Sequence, residues 1–270
     1  MPRPIALLTD FGLHDSYVGV VKSVLLSRLP QAVLIDLTHG IPPGDIAGGA
    51  FQLRTAAPYA PEETLFLAVV DPGVGGERRP VCARSGGRLF VGPDNGLLWP
   101  AASDLGAPEF FHLDRAEYWL PRRSATFHGR DLFAPVAAAL AAGALPEEVG
   151  SPIPDPVTLE FQAPLFAGGS PPSAQGEVVW IDQYGNAITN IRPEHLLTSL
   201  ASMDDPSALT FTVGGVDLGP PRSHYGACAP GEPLVVLGSS GYYEIAVRDA
   251  SAAERLGLVR NTLVSVRAVR

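Results

Sequence analysis

The first half of this chain alternates short apolar runs, closed by Asp or Gly, with segments of helical periodicity, and that alternation narrows its fold more than any other feature. Ile5–Thr9 runs into Asp10-Phe11-Gly12, residues 32–37 repeat the pattern, and residues 64–70 lead to Asp71. Continuous apolar runs of this length fit strands buried on both faces. Between them, Asp15 or Ser16 can cap a helix through Val18, Val21 and Leu25 that Pro30 stops. A second helix is expected from Asp45 to about Ala57, ending before Pro58. A hairpin follows, with strands 81–84 and 88–91 around Ser85-Gly86-Gly87, and a further helix runs from near Gly129 to Ala142. The expectation is an α/β fold whose mostly parallel sheet is covered on both faces.

Beyond residue 165 the period changes. Residues 166–176, rich in Gly, Pro and Ser, read as a linker. Short strand-like runs then recur at 177–182, 209–213, 233–237, 242–247 and 262–269, with a small helix near 193–200. This predicts an α/β domain over residues 1–165 and a smaller all-β, barrel-like domain over residues 177–270. The junction of two such domains is a natural place for a ligand.

Composition removes several classes. Gly and Pro make 56 of 270 residues, below the low-complexity range, and 46% hydrophobic content excludes general disorder. The net charge is −9, and no Lys/Arg-rich run exists to meet a polyanion, so nucleic acid is not an expected partner. Lys22 is the lone lysine; the other 18 basic residues are arginines, so an arginine by itself is weak evidence of chemistry. Two distant cysteines make neither a disulfide framework nor a zinc knuckle. The N-terminus meets Asp10 before a signal-peptide core can form, and residues 132–145 are too short to span a bilayer. A cytoplasmic protein without membrane partners is the expectation.

Ligands of doubly wound sheets sit beyond the carboxyl ends of the strands, where Asp10 and Asp71 fall. In Asp71-Pro72-Gly73-Val74-Gly75-Gly76-Glu77-Arg78 the tight reversal allows Arg78 to return toward Asp71. His128 precedes the Ala-rich helix, where a helix N-terminus favours neutral imidazole. No histidine shows metal-ligand spacing, so no metal site is expected. Tyr184 can stack on a base and Asn186 can pair with a purine edge. Gly238-Ser239-Ser240-Gly241 offers hydroxyls and amides suited to a carboxylate. Each of these also fits a plain cap or turn when taken alone.

Together they carry a resemblance. Thr9-Asp10-Phe11-Gly12 with Asp15-Ser16-Tyr17, Asp71-Pro72-Gly73-Val74-Gly75, Gly92-Pro93-Asp94-Asn95-Gly96, Phe127-His128-Gly129-Arg130-Asp131 and Asp182-Gln183-Tyr184-Gly185-Asn186 resemble the S-adenosyl-L-methionine (SAM) hydroxide adenosyltransferases. These adenosine-forming SAM hydrolases are related to fluorinase and chlorinase. The resemblance spans nearly the whole chain in order. It implies attack of water or hydroxide on C5′ of the adenosyl group, with SAM as substrate and no cofactor. The family's catalytic set falls on Asp71, Arg78 and His128, and its ribose-binding Asp on Asp10. Adenine recognition falls on Asn186 with packing from Tyr184, and the methionine end on Asp15, Ser16, Asp182, Ser239 and Ser240. Halogenases carry Arg at the second position of that last turn; Ser240 stands there in this chain. The resemblance further implies a homotrimer with sites at subunit interfaces.

Two alternatives follow. A SAM-dependent halogenase would need a desolvated halide, and an Asp and a His facing the nucleophile oppose that. A non-catalytic SAM or adenosine sensor would keep the pocket and release no methionine.

Overall fold

The computed structural model describes residues 1–169, 171–197 and 206–269. The chain divides into two compact units, Met1–Glu160 and Phe161–Arg270.

The first unit runs β1 (Ile5–Thr9), α1 (Tyr17–Arg28), β2 (Leu34–Thr38), α2 (Ile46–Ala56), β3 (Leu65–Val69), β4 (Pro80–Ser85), β5 (Arg88–Pro93), α3 (Trp99–Ser103), β6 (Glu109–His112), α4 (Ala134–Ala141), α5 (Pro146–Val149) and β7 (Ser151–Ile153). Its seven strands lie in the order β2-β1-β3-β5-β4-β6-β7. The β1, β2, β3 and β5 pairings are parallel, whereas β4, β6 and β7 join antiparallel. The sheet is therefore mixed: the β4–β5 hairpin reverses the chain, and the short runs at 109–112 and 151–153 then extend the antiparallel half.

Helices cover both faces. Ile5 and Leu7 point to one side with Leu65, Leu67 and Val69, where they pack with Val21 and Leu25 of α1 and Val136 and Leu140 of α4. The α1 residues repeat at helical spacing, and α4 is buried almost throughout because alanine lets it lie close to its neighbours. On the opposite side Phe66 and Phe90, register partners, stack at 4.9 Å. Asp45 caps α2 by accepting from the Gly48 amide at 2.9 Å. Each fully buried large side chain here contributes about 1.5–3 kcal/mol.

The second unit comprises β8 (Leu165–Ala167), β9 (Ser173–Ile181), β10 (Ala187–Thr189), α6 (Pro193–Leu197), β11 (Leu209–Val213), β12 (Val216–Gly219), β13 (Pro233–Leu237), β14 (Tyr243–Val247), α7 (Ala252–Leu256) and β15 (Leu263–Ala268). Its strands pair antiparallel in the barrel-like order β12-β11-β15-β9-β10-β14-β13, with β8 on β9. Residues 166–176, expected to be a linker, instead hold most of β8 and the start of β9. Their composition hid a period of two, in which Ala174, Gly176 and Val178 all point inward. Phe211, Tyr243, Ile245, Val264 and Val266 complete that core. Of the small helix expected near 193–200, residues 198–200 lie outside the described residues.

Candidate active site

Asp10 and Asp71 follow β1 and β3, which pair directly with Thr9 opposite Val69. Both carboxylates thus leave the same carboxyl edge of the parallel strands. Asp10 accepts the Gly44 amide at 2.8 Å, and a Cβ on Gly44 would sit 3.6 Å from Cβ of Pro72, the residue after Asp71.

The loop after β3 returns as its sequence implies. Arg78 Nε lies 3.0 Å from both oxygens of Asp71, and Arg78 Nη2 lies 2.5 Å from Asp71 Oδ2. The pair is well buried, with side chains 5% and 11% exposed, and Phe133 carries the guanidinium on its ring at 5.2 Å. Gly75 makes the reversal possible: its φ is +77°, and a Cβ there would strike the Ala125 carbonyl. Asn95 braces the end of β3 by donating to the Val70 carbonyl at 2.9 Å, and Asp94 accepts from Arg79 and from the Val157 amide. The Gly92–Gly96 segment is thereby a support for the Asp71 loop.

Across 50 residues of sequence, Arg78 Nη2 also reaches His128 Nδ1 at 2.7 Å. A guanidinium can only donate, so Nδ1 accepts and the imidazole proton sits on Nε2. His128 immediately precedes a single π-helical turn, Gly129–Phe133, that runs straight into α4. Burial, then the guanidinia of Arg78 and Arg123, hold its pKa below the ordinary histidine value, while Asp71 and Asp131 pull the other way. An open cavity of about 320 Å³ adjoins this pair, with Gly75, Gly76, Trp119 and Arg123 among its walls. Arg123 stacks on Trp119 at 4.7 Å.

This ordering has a consequence for pH. The folded-state pKa of His128 lies below its unfolded value of about 6.5, so near and below that pH the unfolded chain binds more protons. Stability should be level above pH 6.5 and decline as pH falls toward the folded pKa. If neutral His128 is required, kcat/KM should fall over the same window. A pH series of denaturant midpoints and rates tests this; an acid limb centred above pH 6.5 would contradict it.

Asp15 and Ser16 are exposed, and Ser16 occupies the N-cap position of α1 without a side-chain cap bond. Beside them stands an edge-to-face cluster that sequence reasoning left without a role. Phe11, Tyr17 and Phe127 have ring centroids 5.2–6.2 Å apart, and Tyr17 remains half exposed. Their signal was present, since all three fall inside motif blocks.

In the second unit, Asp182 turns inward on its own loop. Its Oδ1 accepts the amides of Tyr184 and Asn186, and its Oδ2 accepts Asn186 Nδ2 at 2.9 Å. Gly185 closes the turn at φ +80°. Asn186 therefore keeps its Oδ1 and one N–H for other partners, and Tyr184 is 70% exposed. Ser239 is exposed, whereas the Ser240 hydroxyl is buried. Sequence reasoning missed Glu244 on β14, 5% exposed, which accepts a hydrogen bond from Tyr225. Burial raises its pKa; the Tyr225 hydroxyl opposes that rise and Asp182 adds to it.

Among the described residues no group of three His, Cys, Asp or Glu side chains is arranged to hold a metal, and no helix is long and apolar enough to cross a membrane. Burial pushes the Cys82 thiol up to about 12, which leaves it unreactive.

Residues 5–150 match the model of the SAM hydroxide adenosyltransferase N-terminal domain, and residues 176–265 match that of the corresponding C-terminal domain. A Thermus thermophilus protein named (R)-S-adenosyl-L-methionine hydrolase is 42% identical over 264 residues, covering 95% of this chain and 96% of the relative. A fluorinase from Actinoplanes sp. is more distant, 26% identical over 97% of this chain and 96% of its own. A crystal structure of an uncharacterized conserved protein from Thermotoga maritima superposes with a TM-score of 0.89 at 34% identity, covering 98% of this chain and 100% of that one.

Proposed function

The chain belongs to the SAM hydroxide adenosyltransferase family, and from that premise we propose that it hydrolyses S-adenosyl-L-methionine to adenosine and L-methionine. The observation that carries the reading is the joined Asp71–Arg78–His128 set at the carboxyl edge of the sheet.

The sulfonium is a good leaving group, so methionine sulfur departs with the bonding pair and needs no acid. The water oxygen forms the new bond to C5′ as the C5′–S bond breaks. Water itself is the weak partner, and its proton must be accepted nearby. With Nδ1 filled by Arg78 and Nε2 protonated, His128 acts as a hydrogen-bond donor that orients the water and stabilises hydroxide character. Asp71, fixed by Arg78, still has carboxylate lone pairs free and takes the proton. Arg78 holds both partners in register and adds permanent positive charge. Asp10 serves the ribose, Asn186 and Tyr184 the adenine, and Asp15, Ser16, Asp182, Ser239 and Ser240 the amino-acid end. No cofactor or metal takes part. A homotrimer is proposed on the family resemblance, and light scattering at three chain masses would support it.

Incubation with SAM in ¹⁸O-water, with and without chloride or fluoride, tests the reaction. Adenosine carrying ¹⁸O at its 5′ oxygen, together with methionine, is expected in every case. A 5′-halo-adenosine product would make the protein a halogenase, and binding without products would make it a sensor.

A further inference from the structure

Two buried polar atoms of the second unit lack any hydrogen-bond partner among the described residues, and both belong to one corner: Arg192 Nε and Ser240 Oγ. The Tyr243 amide donates to the Ile191 carbonyl at 2.9 Å, which sets Arg192 alongside the Gly238–Gly241 turn. Its guanidinium lies 4.7 Å over the Tyr242 ring, and its Nη2 is 3.6 Å from the position a Cβ would take on Gly241. Nη1 points the other way, to Glu194 at 2.9 Å.

The edge formed by Nε and Nη2 is the one arginine uses to grip a carboxylate with two parallel bonds. It does so elsewhere among the described residues, in Arg54 with Asp104, in Arg78 with Asp71 and in Arg130 with Asp131. In Arg192 the Nη2 end of that edge lies against Gly241 and the Nε is unsatisfied, and the hydroxyl of Ser240, the residue before Gly241, is in the same condition. Burying two such donors is costly unless a ligand meets them.

We infer that Arg192 and Ser240 together bind the carboxylate of the substrate's amino-acid end. The inference rests on the SAM reading above. The guanidinium edge donates two hydrogen bonds to the carboxylate, and the Ser240 hydroxyl donates a third. Arg192 supplies the positive charge that Ser240 itself lacks.

The test compares SAM with decarboxylated SAM, which keeps the sulfonium and ammonium and lacks only the carboxylate. Arg192→Gln should raise KM for SAM by about tenfold to a hundredfold, as expected for losing charged hydrogen bonds. Its kcat should change far less, and its KM for decarboxylated SAM should match wild type. Arg192→Lys, which keeps the charge and loses the fork, should recover part of the loss, and Ser240→Ala should show a smaller effect of the same kind. Equal losses on both substrates, or none on either, would overturn the inference while leaving hydrolysis intact. Wild-type protein that turns over neither sulfonium would instead remove the SAM reading, and this inference with it.

Discussion

Replacing His128 with alanine is expected to lower kcat by about two to four orders of magnitude, with SAM affinity close to wild type. The imidazole is buried and oriented by Arg78, and in the proposed mechanism it acts on the attacking water rather than on the bound substrate. Asp71→Ala should behave alike, since it removes the proposed proton acceptor and the anchor of Arg78 together. The double variant should cost little more than either single one, because the proposed mechanism has the three side chains act as a unit. Isothermal titration with SAM and single-turnover rates separate binding from chemistry. A His128→Ala enzyme turning over near the wild-type rate would remove the imidazole from the mechanism.

Arg78→Ala should be more damaging, because it strikes stability and catalysis at once. It strands the Asp71 carboxylate in a nearly closed setting and takes away the donor to His128 Nδ1. Breaking a buried ion pair from one side typically costs about 3–5 kcal/mol, and the partial exposure of Arg78 places this pair near the lower end. The urea midpoint should fall at unchanged m-value, and turnover should drop at least as far as in His128→Ala. Arg78→Lys should recover some stability and little activity, since an ammonium cannot span both oxygens of Asp71 and the imidazole together. A variant with wild-type midpoint and rate would show that the salt bridge has neither role.

Much of this arrangement could be read from residue order. Apolar runs ending in Asp10 and Asp71 marked two neighbouring strand ends, and Pro72 with the following glycines marked the return of Arg78. These are local signals, spread over fewer than ten residues. The His128–Arg78 bond was beyond reach, because it depends on how the Phe127–Phe133 segment docks against a loop 50 residues earlier. Family resemblance grouped the two residues, but the tautomer came only from the geometry. In the second unit, Gly and Pro content masked β8 and the start of β9, whose inward positions are filled by small residues. Asn186 read as able to pair with a purine edge, although one of its two side-chain N–H groups is engaged by Asp182. Arg192 looked like any of 18 arginines until Ser240 was seen beside the same turn with its hydroxyl unsatisfied.

The π turn at Gly129–Phe133 separates two demands that a regular helix would fuse. Its Ala134 amide bonds back to Gly129, five residues earlier, so the turn holds one residue more than the α pattern. In an uninterrupted α-helix each residue advances about 100°, and the packing of α4 would dictate where His128 points. The extra residue shifts that phase. Core positions of α4 can change size without rotating the imidazole, while deletion of one residue within 129–133 would swing His128 by about a quarter turn relative to an intact core. Natural length variation in this protein should therefore be tolerated in its loops and excluded from these five positions.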